Sequence, residues 1–175
     1  FWVPKLAGKV DMIPNNDNHL WLEADQPGEY FGQCAEFCGE SHANMRFKVI
    51  AESKEDFAIW LQLQASPSVD PTDPLEIQGR DLFMTSALSN GGGCLACHTV
   101  AGTRARSKTG PNLTHFASRR HLAAGIVVNN QENLRKWLED PNKLKPGNIM
   151  SRDGAVFNNQ DLALTESEIS ALIAY

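Results

Sequence analysis

Two cysteines, a histidine and a methionine in one short segment constrain this chain more than any other feature. The four residues are Cys34, Cys38, His42 and Met45. Thiolate, imidazole and thioether together form the ligand set that soft copper selects. Structural zinc sites prefer cysteines and histidines and rarely use methionine. We therefore expect a fold that presents this segment as a metal-binding loop.

The second cysteine indicates how many metal ions the loop holds. A mononuclear blue-copper site needs only one thiolate. Two cysteines at this spacing therefore suggest two metal ions that share two bridging sulfurs. The alternative is a local disulfide between Cys34 and Cys38, which leaves the spacing of His42 and Met45 unexplained.

The segment resembles the dinuclear copper (CuA) loop of cytochrome c oxidase subunit II, whose pattern is Cys-x-Glu-x-Cys-x-x-x-His-x-x-Met. The resemblance implies that Cys34 and Cys38 are the bridging thiolates. It also implies that His42 and Met45 are terminal ligands and that Glu36 ligates through its backbone carbonyl.

The resemblance extends through residues 1–6 and 27–33 and covers residues 1–64. It implies the last part of an all-β, cupredoxin-like sandwich that is N-terminally truncated here, with the first strands and the membrane anchor expected upstream of residue 1. A further copper-ligating histidine of the family is also expected upstream, just before the Phe-Trp-Val-Pro segment. His19 is an alternative ligand, but it lies at a predicted strand entrance and we interpret it as a surface histidine.

Hydrophobic patterns predict strands around the loop and a helix after it. Residues 18–24 and 45–51 alternate partly, as half-buried strands do, and residues 29–33 lead into the loop. Ser53 is a candidate N-cap for a short helix. The proline-rich stretch at residues 65–74 predicts a semi-extended linker and a domain boundary.

Residues 94–98 read Cys-Leu-Ala-Cys-His, which is the attachment pattern of a c-type haem. Cys94 and Cys97 can form thioethers to the two vinyl groups, and the imidazole of His98 then falls on the iron. The pentapeptide alone also fits a redox dithiol or a zinc site. Met150 follows a Pro/Gly turn and is the candidate for the second axial ligand, since His/Met ligation raises the potential of a haem.

The loop at residues 109–113 resembles the cytochrome c loop beyond the haem, which implies that the carbonyl of Pro111 orients the axial histidine. His115 and His121 are alternative iron ligands that we interpret as surface or packing residues. The resemblance to class I cytochrome c covers residues 75–175 and implies an all-α domain with covalently attached haem c.

The helices of this second half have their own signals. Residues 133–140 predict a helix that stops before a proline. Thr165 and Glu168 form a candidate capping box that opens the last helix. In cytochromes c the first and last helices cross near a glycine and an aromatic residue, and Gly79 and Phe83 are placed to form that crossing.

The net charge of −5 is unevenly distributed over the 175 residues. Residues 1–64 carry five Lys/Arg and ten Asp/Glu, whereas residues 65–175 carry eleven of each sign. An acidic copper-binding half would attract a basic redox partner, and nothing suggests nucleic-acid binding. No apolar run approaches the ~20 residues of a membrane span. Because the chain starts with neither Met nor a leader, we expect it to be the extramembrane part of a longer protein.

Both resemblances together are to subunit II of a haem–copper terminal oxidase that carries a fused cytochrome c, as in caa-type oxidases. They imply that electrons pass from a donor, such as a cytochrome c or a quinol-oxidising complex, through haem c to the copper pair and on to subunit I. The chain would then be a component of cytochrome-c oxidase on the periplasmic face of a prokaryotic membrane. No catalytic residue is expected in it, because oxygen is reduced in another subunit.

Two alternatives remain. Nitrous oxide reductase also has a dinuclear copper domain, but its loop typically has a tryptophan between the cysteines, where this chain has Ala35, Glu36 and Phe37. The other alternative is a soluble copper or haem redox carrier without a catalytic partner.

Overall fold

The computed structural model describes residues 1–85 and 93–175, which form two compact units. The first unit consists of Phe1–Ala65 and His121–Val127, and the second of Ser66–Arg120 and Val128–Tyr175. The first unit therefore includes a short segment from the second half of the sequence, which nothing in the sequence pattern predicts.

In the first unit an antiparallel strand pair supports the cysteine-rich loop. Strand β1 spans Gly28–Gln33 and strand β2 spans Arg46–Ala51. The register pairs Gly28 with Ala51 and Gln33 with Arg46, so the loop begins and ends at one end of the pair. Because the loop residues come directly after β1 and directly before β2, the two strands fix both of its ends.

The predicted strand at residues 18–24 is absent, since the backbone there has no ladder partner among the described residues. Its Trp21 side chain is 90% exposed. A strand needs a neighbouring strand to accept and donate its hydrogen bonds, and partial alternation of side chains does not supply one. The prediction of a strand at this position was therefore wrong for the described residues.

The helix expected after the copper loop is present. Helix α1 spans Lys54–Gln64, and the hydroxyl of Ser53 accepts a hydrogen bond from the N–H of Asp56 at 3.0 Å. This satisfies one of the backbone donors that a helix N-terminus leaves unpaired.

The second unit is helical. Its helices are α2 (Pro74–Met84), α3 (Gln131–Glu139), α4 (Pro141–Leu144), α5 (Ile149–Asp153), α6 (Ala155–Asn158) and α7 (Glu166–Ala174). A second strand pair is formed by β3 (His121–Leu122) and β4 (Val127–Val128), and it falls in the first unit except for Val128. Helix α7 begins with the predicted capping box, in which Thr165 and Glu168 satisfy each other's backbone N–H groups.

Helices α2 and α7 cross where the sequence predicted the crossing. A Cβ added to Gly79 would lie 1.9 Å from the carbonyl oxygen of Ala171, so the two backbones touch there. The ring of Phe83 lies 5.7 Å from that of Tyr175. Phe83 is also part of the core of this unit, which is formed by buried apolar residues with several half-buried ones packed against them: Phe83, Met84, Val100 and Ala105, with Cys94, Leu95, Leu113, Leu172 and Tyr175 around them.

Most of the predicted linker at residues 65–74 belongs to the second unit, which begins at Ser66. Both the N–H and the hydroxyl of Ser68 donate to the carbonyl of Ala101, at 3.1 Å and 2.8 Å. Across the described residues, the structure contains no helix that is both long enough and apolar enough to cross a membrane.

Candidate metal centres

The loop between β1 and β2 gathers three of the predicted copper ligands. The ligand atoms of Cys34, Cys38 and His42 all lie within 4.8 Å of one another. The N–H of Cys34 donates to the carbonyl of Met45 at 2.9 Å and closes the base of the loop. Because the loop is closed at its base, it can hold Cys34 and His42, which are eight residues apart in sequence, close to one point.

The remaining predicted copper ligands also face this cluster. The sulfur of Met45 lies 3.4 Å from Sγ of Cys38, and Nδ1 of His42 lies 3.7 Å from the same Sγ. The carbonyl oxygen of Glu36 lies 3.0 Å from Sγ of Cys34. Two sulfurs from cysteine, one from methionine, an imidazole nitrogen and a carbonyl oxygen are thus close together, and this donor set fits copper.

Local backbone chemistry explains how the loop turns back on itself. Gly39 has a φ of +124°, a conformation that side chains with a Cβ rarely adopt. A single turn of 3₁₀-helix at His42–Asn44 follows, in which Met45 N–H bonds to the carbonyl of His42 at 3.2 Å. The glycine therefore permits the reversal, and the short turn then brings the histidine and methionine side chains to the same place.

The four cysteines are free thiols in this structure. The local disulfide between Cys34 and Cys38, which the sequence left open, is therefore not formed. His19 is exposed and does not belong to the group of ligand atoms described above.

The haem-attachment sequence forms a compact turn. Residues Cys94–Ala96 make one turn of 3₁₀-helix, and the carbonyl of Cys94 accepts from the N–H groups of Cys97 and His98 at 3.1 Å and 3.0 Å. Burial raises the pKa of the Cys94 thiol to about 11, with a further increase from the Cys97 thiol and an opposing backbone hydrogen bond. The Cys94 sulfur is therefore held as a neutral thiol, whereas Cys97 is exposed.

His98 is positioned by the loop that the sequence singled out. The imidazole is buried, with 9% of its surface exposed, and Nδ1 lies 2.8 Å from the carbonyl oxygen of Pro111. A carbonyl can only accept, so this bond places the proton on Nδ1 and leaves the lone pair of Nε2 for a metal. Orientation of a ligating imidazole by a backbone carbonyl is the usual arrangement at metal sites, so these residues fit a haem iron.

The structure shows that Gly110, which the sequence did not identify as a candidate, also lies against the His98 imidazole. A Cβ at this position would lie 2.7 Å from Cε1 of His98 and 2.9 Å from Nδ1, closer than side chains tolerate. A glycine directly before Pro111 was the available signal, since a glycine can mark close approach of the backbone to another group.

Met150 and the two alternative histidines fall in different surroundings. Met150 lies in the first turn of α5 and is half-buried, and its role as the second axial ligand stays a prediction. His115 precedes a short 3₁₀ turn at Phe116–Ser118. His121 belongs to the first unit, where its Nε2 lies 3.7 Å from a carboxylate oxygen of Glu29.

Comparison with known proteins gives two family matches on this one chain. Residues 1–52 match the family model of the cytochrome c oxidase subunit II periplasmic domain, and residues 77–175 match that of cytochrome c. The predicted order of a cupredoxin-like copper domain followed by a cytochrome c domain is therefore confirmed. These domains imply a dinuclear copper centre and a haem c, in agreement with the thiol and imidazole cluster of the loop.

Three curated relatives align over the whole chain, and each is named cytochrome c oxidase subunit 2. The protein of Alkalihalophilus pseudofirmus is 41% identical, with 100% of this chain and 46% of the relative covered. Those of Bacillus sp. (strain PS3) and Bacillus subtilis are 38% and 35% identical, each with 100% of this chain and 48% of the relative covered. The chain thus spans about half the length of these relatives. Since the cytochrome c match covers more than half of the chain, this protein belongs to the cytochrome c family and carries, ahead of that domain, a periplasmic domain of cytochrome c oxidase subunit II.

Proposed function

We propose that this chain is the part of a terminal oxidase subunit II through which electrons enter a membrane-bound, oxygen-reducing complex. The observation that carries the proposal is the presence, on one chain, of two separate groups of candidate ligands: the Cys34–Cys38–His42 cluster and the His98 imidazole held by Pro111. Full-length relatives named cytochrome c oxidase subunit 2 support the same conclusion.

The proposed copper ligands are Cys34, Cys38, His42, Met45 and the backbone carbonyl of Glu36. Their role is to hold both oxidation states in nearly the same geometry, so that little rearrangement accompanies electron transfer. The hydrogen bond that closes the base of the loop and the strand pair beneath it supply the rigidity that this role needs.

The proposed haem site uses Cys94 and Cys97 for covalent attachment and His98 and Met150 as axial ligands. The carbonyl of Pro111 holds the proton on Nδ1 of His98, and the apolar core beside Cys94 and Leu113 keeps water from that side of the site. Copper and haem, when bound, supply reversible one-electron chemistry, and the protein contributes ligand geometry, burial and tuning of potential.

The wider setting completes the proposal. The domain bounds are residues 1–64 for the copper domain, 65–74 for the linker and 75–175 for the cytochrome c domain. A linker this short raises the effective concentration of one redox site at the other and removes a diffusional docking step.

The partners are oxidase subunit I and a donor such as a cytochrome c or a quinol-oxidising complex. The location is the outer, periplasmic face of a prokaryotic membrane, with the anchor outside residues 1–175.

Oxygen uptake by the assembled complex tests this function. Membranes that contain the protein should consume oxygen with a reduced donor, and Cys38→Ser should abolish that uptake while haem c stays attached to the chain. The matched control is Ala43→Ser, which places a serine at an exposed position of the same loop. Oxygen uptake that survives Cys38→Ser unchanged would contradict the proposal, as would nitrous oxide consumption in place of oxygen consumption.

A further inference from the structure

We propose that Thr99 is a positioning residue for the axial histidine, because its hydroxyl holds the segment from Ser107 to Pro111 in the register at which the Pro111 carbonyl meets Nδ1 of His98. This inference rests on the proposed role of His98 as an iron ligand. It concerns a residue whose side-chain hydrogen bond is to Ser107 and not to His98 or Pro111.

The backbone beyond the haem-attachment turn is fastened at two points close to Pro111. The N–H of Gly110 donates to the carbonyl of Cys97 at 2.5 Å, and the N–H of Leu113 donates to the carbonyl of Thr99 at 2.8 Å. These two bonds lie on either side of Pro111 and fix the later part of the loop. They do not fix its beginning.

The side chain of Thr99 holds Ser107, the first residue of this loop, in place. Its hydroxyl donates to the carbonyl of Ser107 at 2.5 Å, in a half-buried position. The backbone of Thr99 also forms isolated β-bridges with Arg106 and with Asn112, so the residue lies between the two ends of the loop. The side chain of Thr99 thus connects Ser107, the first residue of the loop, to the extended segment that directly follows His98.

The loop backbone lies in close contact with the imidazole of His98, so a small displacement of the loop changes this contact. The backbone at Gly110 approaches so closely that an added Cβ would lie 2.7 Å from the His98 ring. A shift of the loop by a few tenths of an ångström toward solvent therefore lengthens the Nδ1 to Pro111 bond directly. Because a hydrogen bond weakens steeply as its geometry departs from the ideal, the bond to the histidine depends on how firmly Ser107 is held.

Weakening that bond has an electronic consequence at the haem. A carbonyl that accepts from Nδ1–H raises the basicity of the imidazole as a ligand. A more basic imidazole stabilises the ferric state over the ferrous state. Loss of the Thr99 hydroxyl should therefore raise the reduction potential of the haem.

The test uses three variants of the full chain with haem attached. Thr99→Val removes the hydroxyl and keeps the shape of the side chain, and Thr99→Ser keeps the hydroxyl. The control is Thr103→Val in the neighbouring turn, where the hydroxyl donates to Val100 at 2.7 Å and accepts from Ala105 at 3.1 Å. Thr103 makes a comparable hydrogen bond but does not hold the Ser107–Pro111 segment.

The measurements are the reduction potential of the haem and the exchange rate of the His98 Nδ1 proton by NMR. Thr99→Val should raise the potential and speed exchange about fivefold, as expected for the loss of one hydrogen bond of ordinary strength. Thr99→Ser and Thr103→Val should both keep the parent's values.

Several results would overturn the inference. One is a Thr99→Val variant with the parent's potential and exchange rate, and another is an equal shift in Thr103→Val. A shift in Thr99→Ser would show that the methyl group, not the hydroxyl, matters. A parent protein that carries no covalent haem at Cys94 and Cys97 would instead overturn the proposed function, and this inference with it.

Discussion

At the scale of single residues, the proposed haem site depends on one glycine as much as on its candidate ligands. Gly110 lets the loop backbone lie against the His98 imidazole, with Cε1, Nδ1 and the carbonyl of Cys97 all within 3.1 Å of where a Cβ would stand. No rotation of a flexible side chain could relieve that contact, since a buried ring and a backbone oxygen form it. The loop itself would have to move.

Gly110→Ala should therefore displace Pro111 from His98. We expect a shifted reduction potential and a lower yield of protein with attached haem, measured by potentiometric titration and by haem stain after denaturing electrophoresis. Gly8→Ala is the control, because a Cβ there would meet nothing within 4 Å. A Gly110→Ala variant with the parent's reduction potential and haem content would contradict this prediction, because the loop would then accommodate the added methyl group without moving Pro111 away from His98.

Met150→Ala tests the second axial ligand. Haem should stay covalently attached through Cys94 and Cys97, while the potential falls and the iron shifts toward high spin, because a thioether ligand favours the ferrous state. The measurement is the visible spectrum of the oxidised protein together with the potential. If the absorption band typical of a sulfur–iron bond persists, Met150 is not the ligand and His115 becomes the next candidate.

At the scale of elements, the second unit depends on the crossing of α2 and α7. Gly79 of α2 meets the carbonyl of Ala171 in α7, and Phe83 of the same helix packs against Tyr175 after the end of α7. The capping boxes at Asp73 and Thr165 define where the two helices start. The crossing therefore has a fixed register along both helices.

Gly79→Ala sets two opposing effects against each other. Alanine gains about 1 kcal/mol of helix propensity over glycine, but overpacking a close contact costs typically about 1–3 kcal/mol and occasionally more. A Cβ at 1.9 Å from a backbone oxygen cannot be accommodated without separating the helices, so we expect net destabilisation.

Thermal unfolding of the haem-loaded protein measures this effect. Gln78→Ala, at an exposed position of the same helix, is the control and should change the unfolding free energy by less than about 0.5 kcal/mol. A Gly79→Ala variant as stable as the parent would mean that the crossing is looser than the structure has it.

Local chemistry explains why some elements could be predicted from the sequence. The N-cap at Ser53, the capping box at Thr165 and Glu168, and the strand at β2 all depend on residues that are neighbours in sequence. The same holds for the copper loop, whose candidate ligands lie within one short segment.

Other elements depend on partners that the sequence does not identify. Residues 18–24 were predicted as a strand, but no described strand pairs with them. The hairpin of β3 and β4 groups in part with the first unit, and its turn contains Ala123 and Ala124 at φ values of +55° and +62°. Alanine disfavours that conformation, so these two residues give no sign of the turn, and its available signal is Gly125, whose φ is +75°. The contact of Thr99 with Ser107 is likewise a tertiary one and leaves no pattern in the sequence.

At the scale of the whole molecule, the chain combines two proposed metal sites that are built differently. The proposed copper ligands are exposed or half-buried on a loop between two strands, whereas the proposed axial histidine is buried beside an apolar core. Each site draws all its described ligand contacts from its own unit. Loss of one site should therefore leave the other intact.

The most direct test of this account is the metal and haem content of Cys34→Ser, with copper counted per chain and examined by EPR. We predict that the variant loses the copper pair and its delocalised, mixed-valence signal, while haem c stays attached with the parent's spectrum. Ala43→Ser, in the same loop, should keep both centres. A Cys34→Ser protein that retains the delocalised copper signal would contradict the account, because a pair that shares two bridging sulfurs cannot survive the loss of one.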